Sequence, residues 1–138
     1  NGVSYAEMKT HEDAENTTLA LLMRLYNGDI PALRVYDFIN AFVGKHKELN
    51  QIDLKKRIMI RRIYKTQKKD KKEMIIELPQ SLCDFIKKRG IKGALLGDSS
   101  ATNIDTLLKQ TFKDKVANPR YFRTKYSTEM VPKFDWCI

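Results

Sequence analysis

The segment from Lys55 to Lys72, KKRIMIRRIYKTQKKDKK, carries a net charge equal to that of the whole chain, +9. It holds ten Lys and Arg side chains and one acid, Asp70, whereas the other 120 residues hold 16 cations and 16 acids. Unpaired charges are costly to bury, so these cations must lie in solvent. The isoleucines between them are therefore expected to turn inward, and the flanking apolar stretches must supply the core.

The region around this basic block predicts a helix followed by a β-hairpin. The pattern favours a helix from Asp53 to Ile60 and then an extended strand, with KKDKK as the hairpin tip. The stretch EMIIEL, Glu73 to Leu78, is the returning strand. Asn50 begins the element, and Asn50 and Gln51 lie at the start of the predicted helix.

Four further segments have the apolar spacing of helices. In TTLALLMRLYNG, Asn16 or Thr17 serves as the cap and Gly28 as the stop. A second helix is expected from Pro31, which suits a first helical turn, to Gly44. The others are Pro79–Arg89 and Asn103–Val116, the latter with a capping box formed by Thr102 and Asp105. A strand is expected after Pro119, in YFRTKYSTEM and before Pro132.

These elements predict one mostly helical α+β domain spanning residues 1–138, with residues 1–15 mobile. Helix, helix, helix and a basic-tipped hairpin is the order of a winged helix, here a variant with additional C-terminal helices and a small β-hairpin or sheet. The first residue is Asn, which suggests a fragment of a longer protein. The start lacks the basic and apolar regions of a signal peptide, and no apolar run is long enough to span a membrane.

Catalytic and metal-binding constellations are not evident in the sequence. Neither His11 nor His46 has Cys, Asp or Glu at metal-ligand spacing, and there is no G-x-S-x-G elbow. The stretch GIKGALLGDSS lacks the ending of a phosphate-binding loop. The sequence therefore predicts a protein that is not an enzyme and has no cofactor. The cysteines, Cys83 and Cys137, are expected to be buried thiols, although a disulfide between them is not excluded by their spacing.

The basic block is the first candidate for a binding surface. Cations on a third helix and on a wing tip could contact the phosphates of a DNA duplex. Side chains that could read bases are sparse, limited to Asn50, Gln51 and Gln67, so such binding would be non-specific. The alternative is a solvated hairpin tip whose lysines protect a sheet edge from mispairing. The candidate DNA contacts are Arg61, Arg62, Lys65, Lys68, Lys69, Lys71 and Lys72.

Protein–protein contact is the second candidate. EMIIEL is an apolar strand that is expected at a sheet margin, and the C-terminal EMVPKFDWCI is unusually apolar for a chain end. The tail could dock on its own domain or on a second copy by strand addition or exchange. The candidate dimer-interface residues are Met74, Ile75, Ile76, Phe134, Trp136 and Ile138.

The stretch from TTLALLMRLYNGDIPALRVYDFINAFVGKHKELNQIDLKKRIMIRRIYKTQKKDKKEMIIELPQSL to the terminal FDWCI resembles the C-terminal winged-helix domain of the silent information regulator (SIR) heterochromatin proteins of budding yeast. That family is paralogous to the largest subunit of the origin-recognition complex. The resemblance covers essentially the full chain and rests on the overall sequence, not on a compact motif, so it assigns no interface residues.

The resemblance implies a non-enzymatic, homodimerising domain of a nuclear silencing protein. Its partners would be a second copy of itself and, through the full-length protein, other chromatin proteins at telomeres and silent loci. Dimerisation would help such a protein to bridge or spread along nucleosomes. Relatives in the origin-recognition complex use winged helices on DNA, so weak, non-specific DNA contact by residues 55–72 is the alternative function.

Overall fold

The computed structural model describes residues 1–63 and 73–130, in which helical residues outnumber strand residues. In chain order the elements are α1 (Tyr5–Lys9), α2 (Thr17–Tyr26), α3 (Val35–Ile39), β1 (Ala41–Val43), β2 (Asn50–Asp53), β3 (Ile58–Arg61), β4 (Met74–Glu77), α4 (Gln80–Lys88), β5 (Gly93–Ala94), α5 (Ala101–Thr111) and α6 (Pro119–Glu129). The predicted mixture of helices and strands is confirmed.

The chain is organised as two compact units. The helical unit comprises Asn1–Arg34 and the described residues from Ala101 onward, and the sheet unit is Val35–Ser100. No Gly-, Pro- or Ser-rich linker marks the junction after Arg34, and the turn-rich stretch before Ala101 reads as an ordinary connector. The sequence alone therefore predicts a single domain and contains no signal for this division.

The helical unit is built around α2, which packs against both α1 and α6. Asn16 caps α2 by accepting a hydrogen bond from the Leu19 N–H, as predicted, and Gly28 follows the helix with a φ of 97°. That left-handed conformation is one that glycine adopts without steric cost. The Tyr26 hydroxyl donates to the Leu33 carbonyl over 2.8 Å, and its ring lies 5.2 Å from that of Phe122.

Residues 1–15, which the sequence predicts to be mobile, contain a capped helix. The Ser4 hydroxyl accepts from the Glu7 N–H, and the Glu7 carboxylate accepts from the Ser4 N–H, which is a complete capping box at the start of α1. Val3 and Met8 are fully buried. The mobility of residues 1–15 stays a prediction. The burial of Val3 and Met8 and the capping box of Ser4 and Glu7 favour a segment that is docked on its unit.

The last two helices differ from the predicted pattern. α5 begins at Ala101 and ends at Thr111, so Thr102 lies inside the helix instead of capping it. Val116, expected to be helical, instead donates to the Asn1 carbonyl and accepts from the Val3 N–H. The predicted strand after Pro119 is wrong: it is α6, started by Asn118 as the cap and Pro119 in the first turn.

The sheet unit contains one five-stranded sheet with the order β4-β3-β2-β1-β5. β1 and β2 are parallel, and the other neighbouring pairs are antiparallel. One row of side chains crosses four strands and is buried throughout. This row consists of Val43, Ile52, Met59 and Ile76. Buried side chains of α4, among them Leu82, Phe85 and Ile86, complete the apolar interior of the unit.

The predicted helix from Asp53 to Ile60 is wrong, because these residues form the turn and second strand of the β2–β3 hairpin. Ile52 and Met59 face each other across the pair, although their separation of seven residues would also suit one face of a helix. The Asp53 carboxylate accepts from the Lys56 N–H, and Arg57 takes a φ of 56°. The first cations of the basic block therefore lie in a tight turn.

The predicted helix from Pro31 to Gly44 is much shorter in the structure. α3 covers Val35–Ile39, and Ala41–Val43 forms β1. β1 and β2 are parallel although only Gly44–Leu49 join them, whereas parallel neighbours ordinarily need a longer crossover. The His46 ring supports this connection, since its Nδ1 accepts from the N–H groups of Glu48 and Leu49, each over 3.0 Å.

The predicted strand within Glu73–Leu78 and the predicted helix within Pro79–Arg89 are confirmed as β4 and α4. β3 and β4 are antiparallel neighbours in the sheet, as the predicted hairpin requires. The predicted hairpin tip KKDKK lies outside the described residues, as does the C-terminal segment from residue 131.

Candidate functional site

The edge strand β4 presents apolar side chains to solvent. In the described part of the sheet, β4 has one neighbour, β3. Met74 is 44% exposed and Ile75 is 55% exposed, values that are high for large apolar side chains in a strand. Natural edge strands commonly carry charges or prolines that prevent pairing with another chain. Among Met74–Glu77 the only charge is Glu77, so this edge is poorly protected.

At alternate residues of β4, the backbone N–H and C=O groups point toward the open edge of the sheet. The Leu78 N–H donates to the Arg57 carbonyl over 2.9 Å, so this pair is of the hydrogen-bonded kind. Hydrogen-bonded and non-hydrogen-bonded pairs alternate along an antiparallel ladder. Ile76 and Met74 therefore bond to β3, while the N–H and C=O groups of Ile75 and Glu77 face away from it. Ile75 thus combines an exposed side chain with outward-facing backbone groups.

The structure divides the predicted dimer-interface residues into three groups. Met74 and Ile75 are exposed at the sheet edge. Ile76 is only 9% exposed and lies opposite Met59 in the buried row, so it serves the core of its own unit and is not a surface residue. The remaining three, Phe134, Trp136 and Ile138, lie outside the described residues.

Arg61, predicted as a DNA contact, makes an ion pair inside the sheet unit. Its Nη2 lies 2.7 Å from Oδ2 of Asp37, whose side chain is 1% exposed. The Arg61 side chain is itself only 16% exposed. Asp37 belongs to α3 and Arg61 to β3, so the pair fixes the short helix to the sheet. The guanidinium is therefore directed at a buried acid and not outward toward a phosphate.

Arg62, the second predicted DNA contact, is held in a similar way. Its Nε lies 2.8 Å from the Glu73 carboxylate, and its Nη1 donates to the Leu49 carbonyl over 3.1 Å and also to the His46 carbonyl. The side chain is 18% exposed. These contacts tie together the two ends of the undescribed segment and the β1–β2 connection. The five predicted lysine contacts, Lys65, Lys68, Lys69, Lys71 and Lys72, lie outside the described residues.

Asn50 has a role that sequence reasoning missed. The sequence presents it as a base-reading amide on a helix, but it is a fully buried residue of β2. Its Oδ1 accepts from the N–H groups of Arg62 and Ile63, both over 2.7 Å, and its Nδ2 donates to the Asp37 carbonyl over 2.9 Å. This buried amide bonds backbone groups of three residues and so anchors Arg62 and Ile63, the last described residues before the gap in the basic block. No sequence motif identifies this contact, which spans twelve or more residues.

The β1–β2 connection and the neighbouring ends of β2, β3 and β4 form a broad, shallow depression of about 720 Å³. Its lining residues are Lys45, His46, Lys47, Gln51, Arg62 and Glu73. Lys45 and Lys47 are exposed, whereas Arg62 is already paired with Glu73. The depression is positively charged, but its cations are two solvated lysines on a turn.

Chemistry of other kinds finds little support in the described residues. Within them, no group of three or more His, Cys, Asp or Glu side chains is arranged to hold a metal ion. Cys83 is a free, buried thiol whose pKa is raised by burial, as the sequence predicts. Cys137 lies outside the described residues. No helix in residues 1–63 and 73–130 is long and apolar enough to cross a membrane.

No protein-family model, no curated protein and no solved structure matches the chain.

Proposed function

We propose that the chain is a non-enzymatic self-association domain in which the β4 edges of two copies pair in an antiparallel arrangement. The observation that carries this proposal is Ile75, which has an exposed apolar side chain and outward-facing backbone groups on a strand with an open side. Pairing would join the two five-stranded sheets and remove both open edges at once.

The pairing has an energetic basis in β4 itself. Burying a large apolar side chain contributes about 1.5–3 kcal/mol relative to full exposure. Met74 and Ile75 are roughly half exposed, and a symmetric dimer buries them on both copies. The backbone N–H and C=O groups of Ile75 would exchange water for ladder hydrogen bonds, which contribute direction and register more than net energy.

A two-fold axis restricts the register of this pairing. A two-fold axis perpendicular to the joined sheet keeps each side chain on its own face of the sheet. Odd-numbered residues of β4 must therefore lie opposite odd-numbered residues of the second copy, and even-numbered opposite even-numbered. We place Ile75 opposite Ile75 of the second copy, because both then present outward-facing backbone groups and an exposed side chain. Met74 then lies opposite Ile76 of the second copy, and Glu77 opposite Glu73.

The occupant of the edge is a second copy and not an unrelated strand, because β4 is self-complementary in this register. Its two apolar side chains meet apolar side chains. The facing acids Glu77 and Glu73 are the one unfavourable pair, and Arg62, which lies 2.8 Å from Glu73, weakens their repulsion without removing it. An unrelated partner would have to supply this match independently. The apolar segment 131–138 of the same chain is the competing occupant that an experiment must exclude.

The biological setting follows from the resemblance alone. The resemblance supports a homodimerisation domain of a nuclear heterochromatin protein that helps its full-length form bridge or spread along nucleosomes at silent loci. It also supports a variant winged helix, for which the antiparallel β3–β4 pair would be the wing. The segment expected to be the third helix is the β2–β3 hairpin, so such a variant would lack a recognition helix in the expected place.

The alternative function, non-specific DNA binding by residues 55–72, now depends on fewer side chains. Arg61 and Arg62 are committed to Asp37 and Glu73. The candidate contacts that remain are Lys65, Lys68, Lys69, Lys71 and Lys72. Reversing the charge of four of those lysines should lower duplex affinity and its salt dependence if this alternative is right.

Sedimentation velocity over a range of micromolar concentrations tests self-association through β4. The wild-type chain should sediment as a dimer, and Ile75→Lys should sediment as a monomer, because it places a charge in the pairing. The matched control is Tyr36→Lys, since Tyr36 is 58% exposed on α3 and outside the edge. This control should remain dimeric.

Three outcomes would count against the proposal. They are a wild-type monomer at all concentrations, a dimeric Ile75→Lys variant, and a monomeric Tyr36→Lys variant that is folded. Deleting residues 131–138 separates the two possible occupants of the edge. If the deletion abolishes the dimer while Ile75→Lys does not, the C-terminal segment forms the interface and β4 does not.

A further inference from the structure

The outward face of α6 carries a continuous stripe of hydrogen-bond donors. Counting from Arg120, its exposed side chains lie at spacings of 3, 4, 7 and 8 residues, which place them on one side of a helix. They are Arg120, Arg123, Thr124, Ser127 and Thr128. At 1.5 Å per residue the stripe is about 12 Å long. The opposite side of α6 is anchored by Phe122, which is buried.

This stripe forms one wall of a groove of about 390 Å³ within the helical unit. Ala32 lies on the other wall, and Tyr126 also lines the groove. None of the lining residues is acidic, so both arginines face a region without a neutralising carboxylate. The nearby acid Glu129 is paired with Lys125.

Arg120 and Arg123 differ in their use from Arg24, Arg61 and Arg62, whose side chains are only 14–18% exposed. Arg24, Arg61 and Arg62 are each paired with an acid of their own unit. Within residues 1–63 and 73–130, neither Arg120 nor Arg123 lies within 4 Å of a carboxylate. Exposed guanidinium groups that the fold does not use are available to an external anion.

We propose that this α6 stripe binds the sugar–phosphate backbone of duplex nucleic acid. Arginine presents a planar fork of donors that matches a phosphate, and Ser and Thr hydroxyls are frequent additional phosphate contacts. Phosphates of one strand follow each other every 3.4 Å along the duplex axis. A stripe of about 12 Å therefore spans about three of them. Because these contacts are made to phosphates and not to base edges, binding is insensitive to base sequence.

Duplex nucleic acid fits this stripe better than a lipid surface does. A helix that lies on a membrane buries large apolar side chains between its cations. The exposed positions of α6 from Arg120 to Thr128 carry only Arg, Thr and Ser. The site is also separate from the basic block, because α6 belongs to the helical unit, which has 10 cations and 9 acids, whereas Val35–Ser100 has 16 and 8.

Fluorescence anisotropy of the full chain with a labelled 20-base-pair duplex, measured as a function of salt, tests this proposal. The double variant Arg120→Glu/Arg123→Glu should bind at least tenfold more weakly, and the slope of log affinity against log salt should fall by about 2. The matched control is Lys109→Glu/Lys113→Glu, which makes the same change in net charge on exposed positions of the helical unit. It should retain most of the affinity.

A second variant distinguishes a phosphate-contacting stripe from a merely charged one. Thr124→Val/Ser127→Ala removes two hydroxyl donors without changing charge, so it should weaken binding severalfold and leave the salt slope unchanged. Circular dichroism confirms that each variant is folded.

Several results would overturn the α6 assignment. These are no duplex binding by the wild-type chain at 50 mM salt, equal losses for the arginine and lysine double variants, and wild-type affinity in the arginine double variant. A fourth is binding to phosphatidylserine vesicles, lost in the arginine double variant, without binding to the duplex.

Discussion

Asp37 and Arg61 form an ion pair of 2.7 Å in which the carboxylate is almost completely removed from solvent. The pair links α3 to β3, and Asn50 reinforces the same junction by donating to the Asp37 carbonyl. A cation that the sequence places in a surface block is thus part of the interior of the sheet unit. The ten cations of the basic block therefore divide into three groups: Arg61 and Arg62, which pair with acids of the sheet unit; Lys55, Lys56 and Arg57, which lie in the β2–β3 turn; and five lysines outside the described residues.

We predict that Asp37→Asn destabilises the protein by about 2–4 kcal/mol. Removing one partner of a buried ion pair leaves the other charge desolvated, and Arg61 is only 16% exposed. The control is Asp13→Asn, which breaks an ion pair with Arg24 of 2.9 Å in which the acid is 88% exposed. That change should cost less than about 1 kcal/mol. Urea unfolding of both variants measures the difference, and equal losses would contradict the buried pair.

We also predict that Asn50→Ala costs about 3 kcal/mol or more in unfolding free energy. The substitution leaves the N–H groups of Arg62 and Ile63 and the Asp37 carbonyl without their buried partner. Asn40→Ala is the control, because Asn40 makes one side-chain bond, to the Tyr36 carbonyl, at an exposed site. Its cost should be about 1 kcal/mol.

Hydrogen exchange gives the Asn50 prediction a local readout. The amides of Arg62 and Ile63 should lose protection in Asn50→Ala and keep it in Asn40→Ala. Unchanged exchange at these two amides would show that Asn50 does not anchor Arg62 and Ile63.

The sequence predicted those elements whose signals are local. α2 has its cap and stop residues in place, and β4 and α4 follow directly from EMIIEL and from the apolar spacing after Pro79. The capping box of Ser4 and Glu7 and the Asn118–Pro119 start of α6 were equally local. Each of these two signals is sufficient to predict the start of its helix, α1 or α6.

The remaining elements depend on pairing between distant residues. β1 and β2 are three and four residues long, too short for an alternating pattern to outweigh the helical spacing of their neighbours. The connection between these parallel strands includes two N–H groups that donate to the His46 ring, a contact that no composition signals. The roles of Arg61 and Arg62 were missed for the same reason, since both depend on acids that lie 11 or more residues away.

Acid should destabilise the helical unit through Glu7. The Lys115 ammonium, together with the Ser4 N–H, lowers the pKa of the Glu7 carboxyl from 4.5 to about 2. A carboxylate whose pKa is lower in the folded state stabilises that state above pH 4.5, and the contribution is lost as the pH falls toward 2. Urea unfolding between pH 5 and pH 2 should therefore show a smaller loss of stability in Glu7→Gln than in the wild type.

Glu15→Gln provides the control for this pH dependence, because Glu15 is an exposed acid of the same unit. It should follow the wild-type profile. A Glu7→Gln profile parallel to that of the wild type would show that the capping box and Lys115 do not act through the charge of Glu7.

The last prediction concerns a substitution that should strengthen the proposed dimer instead of breaking it. With Ile75 opposite Ile75 of the second copy, Glu77 lies opposite Glu73 twice per dimer, and like charges in that position oppose pairing. Glu77→Lys replaces each repulsion with an attraction, so the dissociation constant should fall roughly 5- to 30-fold. Glu48→Lys makes the same change in net charge on the exposed β1–β2 connection and should leave it unchanged. Sedimentation equilibrium measures both dissociation constants.

An unaltered dissociation constant in Glu77→Lys would exclude this register. If the two-fold axis lay at Ile76 instead, residue 77 would lie opposite Ile75, and a lysine there would have no acid to pair with.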